Sequence, residues 1–150
     1  MNIAINSEAE MSAFGVRLGS ILTGGEVLEL VGDVGAGKTT LTKGIALGLG
    51  VDEDVQSPSF TISCIYEGRD DLHVAHYDFY RLQDAGIMGN ELAETIHDPN
   101  TVTILEWGGI VDGILPVDRM TITIVSPSET SRGLSLSTGG LSSQAIMERL

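Results

Sequence analysis

The apolar run Val27–Val31 passes without interruption into Gly32-Asp33-Val34-Gly35-Ala36-Gly37-Lys38-Thr39, and that junction leaves the chain few folds to choose from. The run reads as a buried strand. Beyond it, Leu41, Ile45, Ala46 and Leu49 recur at helical spacing until the glycines around 48–50 stop the helix. Strand, glycine-rich turn and helix in this order match G-x-x-x-x-G-K-[ST] in the setting that gives the pattern its meaning. The chemistry explains the spacing. Glycines let backbone N–H groups converge on phosphate oxygens, and the start of the helix adds the positive end of its dipole. Lys38 brings a mobile charge to the β- and γ-phosphates, and the Thr39 hydroxyl is a magnesium ligand. The segment predicts binding and hydrolysis of a nucleoside triphosphate with magnesium.

The rest of the chain agrees with an α/β domain. Ser7-Glu8-Ala9-Glu10 has the form of a capping box, in which Ser7 and Glu10 exchange hydrogen bonds. Met11, Phe14, Leu18, Ile21 and Leu22 then predict an amphipathic helix over 8–22, closed by Gly24-Gly25. A short apolar segment, Ile3–Ile5, precedes it. Strands are expected at Phe60–Tyr66, Leu72–Asp78, Val102–Glu106, Met120–Val125 and Gly133–Ser137, and helices at Met88–Ile96 and Ser142–Leu150. The expected architecture is a single P-loop domain over residues 1–150, its sheet mostly parallel with antiparallel C-terminal strands.

Composition narrows the function classes. No apolar run is long enough to span a bilayer, and the N-terminal residues lack the basic and apolar regions of a signal peptide. A single cysteine, Cys64, suits a reducing compartment, so the expected location is cytoplasmic. Eight basic residues face 21 acidic ones, a formal charge of −13. Affinity for a nucleic-acid backbone depends on clustered Lys and Arg. Either the acidity serves solubility alone, or any nucleic-acid role runs through protein partners.

A P-loop needs a carboxylate at the end of a neighbouring strand to hold magnesium or polarise water. Asp78 ends one predicted strand and Glu106 another, and strands parallel to Val27–Val31 would deliver both beside the phosphates. His76 shares a strand face with Asp78 and reads as a hydrogen-bonding residue. Trp107, next after Glu106, is expected on the opposite side of the strand, as a packing residue or alternatively at a base-stacking or reporter position. Ser57-Pro58-Ser59-Phe60-Thr61 suits a loop sensing the γ-phosphate, or equally a plain turn.

Taken in order, these blocks resemble the TsaE (also called YjeE) ATPase family of tRNA threonylcarbamoyladenosine biosynthesis. Gly32–Thr40 is similar to its extended phosphate loop, Gln56–Thr61 to its switch segment, His76-Tyr77-Asp78-Phe79-Tyr80-Arg81 to its His-x-Asp-x-Tyr-Arg block, and Glu106-Trp107 to its Glu-Trp pair. Arg132 through Gly139 resembles its closing strand. Ser59 stands where the family usually has threonine, Gly108-Gly109 where a proline and an acidic residue are common, and Met11 where a threonine is common.

The resemblance implies that ATP sits on Gly35, Ala36, Gly37, Lys38, Thr39 and Thr40. It implies magnesium on Thr39 and Glu106 with Asp78 near the metal or the attacking water, these two acids being catalytic. Ser57, Ser59 and Thr61 would form the nucleotide-responsive switch. It further implies binding to the TsaB–TsaD pair, with ATP hydrolysis supporting turnover of the tRNA modification, and no strong direct tRNA binding. Three other readings stand beside it, one of them a nucleotide-binding structural subunit without turnover. A small P-loop kinase acting on a small-molecule acceptor would carry an arginine-rich lid, which is not visible here. A nucleotide-dependent binding switch of the GTPase kind would carry Asn-Lys-x-Asp, and both lysines, Lys38 and Lys43, lie in the P-loop helix instead.

Overall fold

The computed structural model describes residues 1–58 and 62–150. Ser59, Phe60 and Thr61, two of them assigned above to the switch, lie outside the described residues. In chain order the elements are β1 (Asn2–Ile5), α1 (Glu8–Ile21), β2 (Val27–Val31), α2 (Lys38–Gly48), β3 (Ser63–Glu67), β4 (His73–Asp78), α3 (Gly86–Ile96), β5 (Thr101–Glu106), β6 (Met120–Val125), β7 (Arg132–Thr138) and α4 (Leu141–Arg149).

Seven strands form one mixed sheet in the order β1-β7-β6-β2-β5-β4-β3. Its centre is parallel: β2 lies between β6 and β5, and β4 continues beyond β5. The expected antiparallel C-terminal pair is β6–β7. Two further antiparallel pairings close the edges, β1 on β7 and β3 on β4. In the sequence, β1 was legible only as a short apolar segment.

Helices cover both faces. Leu28, Leu30, Val74, Val102 and Ile104 point toward α1, α2 and α4. Val27, Ala75, Tyr77 and Leu105 point toward α3 and the short turn Gly108–Val111. The alternation along each strand is the period of two that splits a strand between two cores. None of the described helices is long and apolar enough to cross a membrane.

The capping box forms with one alteration. The Glu10 amide donates to Ser7 Oγ at 3.1 Å, but the Glu10 carboxylate accepts from the amide of Asn6, at 2.7 Å, rather than from that of Ser7. The return bond thus secures the turn leaving β1.

α1 and α2 approach at backbone distance through Gly15, Gly19, Gly44 and Gly48. A Cβ on Gly44 would lie 2.6 Å from the Ser12 carbonyl oxygen, and one on Gly19 would fall onto the Ile45 carbonyl. Arg69 fastens the far ends of the two helices. Its guanidinium donates to Gly48 O and Leu22 O, each at 2.6 Å, where helix C-termini leave carbonyls without intrahelical partners. Gly19→Ala should lower stability by about 2 kcal/mol, because overpacking against backbone outweighs the roughly 1 kcal/mol gained in helix propensity. Gly113→Ala, with nothing near the added methyl, is the control. Urea midpoints at constant m-value read the difference, and equal midpoints would refute the close-packing account.

Candidate functional site

At the carboxyl ends of the parallel strands lies a cavity of about 750 Å³. β2 feeds it directly through the turn Asp33–Gly37, whose left-handed glycines Gly35 (φ 81°) and Gly37 (φ 112°) bend the chain into the first turn of α2. A Cβ at Gly35 would meet nothing within 4 Å. The glycine there serves the backbone conformation and leaves open space over the loop. Gly35, Ala36, Gly37, Lys38, Thr39 and Thr40 all line the cavity, so the six predicted nucleotide-binding residues are gathered in one place.

Lys38 is buried, and its ammonium group donates to the carbonyl oxygens of Gly32 and, at 3.2 Å, Asp33. The loop therefore curls around its own lysine. Arg132, from β7, donates from Nε to Ala36 O at 2.9 Å and braces the loop from the other side.

The two carboxylates arrive as the strand-end argument requires. β4 and β5 run parallel with Asp78 opposite Glu106, and both residues line the cavity. Asp78 Oδ1 accepts from the Tyr80 amide at 3.0 Å, a local turn that fixes the carboxylate. Glu106 is buried, and its Oε2 lies 2.7 Å from His76 Nε2. His76 thus has the hydrogen-bonding role read for it, with a partner 30 residues away.

Trp107 departs from expectation. β5 ends at Glu106, and Trp107 takes a left-handed backbone (φ 58°) instead of continuing the pleat. The ring turns toward the cavity it was expected to face away from, with Lys38 Nζ 4.5 Å from its centroid and the Tyr80 ring at 4.8 Å. Ser57 lines the cavity too. The lining also includes Ser7, which caps α1, Met11 in its first turn, and Glu129, Thr130 and Arg132 around the β6–β7 turn. Those hairpin residues carried no sequence signal as site residues, because they reach the loop only through antiparallel return of the chain.

Among the described residues, no group of three or more His, Cys, Asp or Glu side chains is arranged to hold a metal by itself. Oxygen donors among the lining residues include the Thr39 hydroxyl and the carboxylates of Asp78 and Glu106. That set suits a hard cation completing its shell with phosphate oxygens and water, as magnesium does.

The family model described as "Threonylcarbamoyl adenosine biosynthesis protein TsaE" matches residues 5–134, from β1 to β7. The chain belongs to the TsaE family. It is 36% identical over 124 residues to the tRNA threonylcarbamoyladenosine biosynthesis protein TsaE of Treponema pallidum, covering 83% of this chain and 90% of that protein. The TsaE of Bacillus subtilis is 39% identical over 128 residues, covering 84% and 78% respectively. The crystal structure of Bacillus subtilis YdiB superposes with a TM-score of 0.83 at 31% identity, covering 99% of this chain and 91% of that one. TsaE is therefore a family of P-loop nucleotide-binding proteins in tRNA threonylcarbamoyladenosine biosynthesis, and the fold described above is its fold.

The position of Trp107 beside Lys38 and Tyr80 gives a measurable signal, since it is the only tryptophan in the sequence. Phosphates drawing Lys38 away from the ring would change its surroundings. Saturating ATP with magnesium should shift Trp107 emission, and Lys38→Ala should remove the response. An unmoved spectrum in a chain that calorimetry shows to bind nucleotide would refute the Lys38–Trp107 coupling.

Proposed function

We propose that this chain is a magnesium-dependent ATPase that binds the TsaB–TsaD pair and supports turnover in the threonylcarbamoyladenosine modification of tRNA. Residues 1–150 would act as one ATPase domain. The observation that carries the reading is the pairing of Asp78 with Glu106 at adjacent strand ends, on the cavity that also receives Lys38 and Thr39. Binding alone would need the loop. Two carboxylates beside it supply what hydrolysis adds.

In this reading the amides of Gly35–Thr40 and the Lys38 ammonium hold the β- and γ-phosphates. Thr39 and Glu106 would hold magnesium, with Asp78 next to it. When bound, magnesium neutralises charge developing on the phosphoryl oxygens. Asp78, with Oδ1 held by the Tyr80 amide, offers its other oxygen to orient the attacking water. Lys38 would follow the charge that builds on the β-phosphate of the departing ADP, beside the Trp107 ring. Ser57, Ser59 and Thr61 form the segment that responds to the γ-phosphate.

Charge supports an indirect route to tRNA. At −13 the chain lacks the clustered cations that backbone binding needs. A partner can respond to nucleotide only if ATP and ADP stabilise different arrangements of the contacting surface. Affinity for TsaB–TsaD should accordingly differ between ATP-analogue and ADP states, while binding to isolated tRNA stays weak at physiological salt. Single-turnover hydrolysis with and without TsaB–TsaD completes the test. Tight tRNA binding together with nucleotide-blind partner binding would reject the proposal. Phosphate appearing on a small-molecule acceptor rather than on water would favour a kinase.

A further inference from the structure

We propose that His76 is a positioning residue that sets the orientation of Glu106 toward magnesium; this rests on the reading of Glu106 as a metal ligand. His76 is 0% and Glu106 4% exposed, and they meet across neighbouring strands at 2.7 Å between Nε2 and Oε2. The strand face around the pair carries Val74, Val102 and Ile104, with Cys64 of β3 opposite His76 and Asp78 at the cavity end. A buried polar pair in such a place contributes little net stability compared with apolar side chains of similar volume.

The second ring nitrogen sharpens the point. A carboxylate accepts, so Nε2 is the donor and carries the proton. In the neutral imidazole Nδ1 is then a bare acceptor, and it is buried without a hydrogen-bond partner. Buried polar atoms are ordinarily satisfied, and one left unpaired in an apolar core is a cost. Packing does not call for a histidine here. The ring's one directed interaction is with Oε2. That bond fixes the rotation of the Glu106 carboxylate and leaves Oε1 as the oxygen able to meet a cation at the cavity. The arrangement is the one by which hydrogen bonds behind a metal ligand set its direction.

Three substitutions at position 76 separate orientation from bulk. His76→Phe keeps a buried ring and removes the donor. His76→Gln carries its amide nitrogen the same number of bonds from Cα as Nε2. His76→Asn carries a donor too short to reach. Nucleotide binding is titrated against magnesium by calorimetry, with a parallel measurement in chelator, and ATP hydrolysis is measured as kcat and KM. In His76→Phe the magnesium concentration for half-saturation should rise roughly 10–100-fold, the usual effect of losing such a partner. Nucleotide affinity in chelator should be unchanged, kcat should fall with KM for ATP held, and His76→Gln should recover most of the loss. If the phenylalanine variant does not fold, His76→Asn is read in its place with the same expected shift.

A folded His76→Phe or His76→Asn with the parent's magnesium requirement, when Glu106→Gln raises it, overturns the positioning role and leaves the metal reading standing. An unchanged requirement in Glu106→Gln overturns the metal reading itself, and this proposal with it.

Discussion

Lys38→Ala loses measurable ATP affinity while keeping the fold. The ammonium group sits at the centre of the loop, held by the carbonyls of Gly32 and Asp33 and facing Trp107. When nucleotide enters, it is the cation placed to move onto the β- and γ-phosphates. Charge-assisted hydrogen bonds are worth about 1.5–3 kcal/mol each. Losing two therefore weakens binding by roughly 10²–10⁴-fold. Stability should change little by comparison. The two carbonyl bonds lost are local, and the core packing of Leu41 and Ile45 on the same helix is untouched. Lys38→Arg is not a rescue, since a planar fork does not fit a space closed by backbone on one side and an indole on the other. Calorimetry on a variant with parent-like thermal unfolding decides the matter. Unchanged affinity there would remove the loop from the binding site.

Asp78→Asn and Glu106→Gln should each cut ATP turnover roughly 10²-fold or more, the scale of losing a positioned electrostatic or acid–base group. Nucleotide affinity should change far less, because the phosphates are gripped by the loop and Lys38. The amides are preferable to alanine at position 106. Truncating Glu106 would strand the buried His76 Nε2 and add about 1–3 kcal/mol of destabilisation unrelated to catalysis. At position 78 the amide oxygen preserves the bond from Tyr80 N. Single-turnover rates at saturating magnesium separate the chemical step from binding and release. If both variants hydrolyse ATP at the parent rate, the metal and the water must be held by other groups.

Local patterns in the sequence were enough to place the phosphate loop, because strand, turn and helix there are contiguous and each glycine has a backbone reason. Asp78 and Glu106 were legible for a related cause: each ends an apolar strand, and parallel strands end together. What could not be read was lateral. The bond from His76 to Glu106 depends on β4 and β5 being neighbours in one register, and no spacing along the chain encodes that. Trp107 was misplaced because strand alternation was carried one residue past the strand's end, where a left-handed backbone reversed the side chain. Arg69 stands in an unremarkable turn, and only packing of α1 beside α2 brings four helix-end carbonyls within its reach. The β3–β4 pairing was likewise invisible, since short apolar strands look alike whichever way they run.

The glycine contact between α1 and α2 divides the cavity mechanically. The helix that begins at the phosphate loop and the helix capped by Ser7, with Met11 in its first turn, pack backbone to backbone, which resists any closer approach. They form a fixed jaw. The opposite jaw is built from the tips of β4 and β5, with Tyr80 half exposed and Trp107 on a reversed backbone. Its strands are laddered to each other, to β3 and, through Glu106 opposite Leu30, to β2, while Asp78 N donates to Ile62 O and Phe79 N to Glu106 O just beyond the ladder. A nucleotide that reshapes the cavity is expected to do so through the exposed side chains of Tyr80 and Trp107 rather than through α1 or α2.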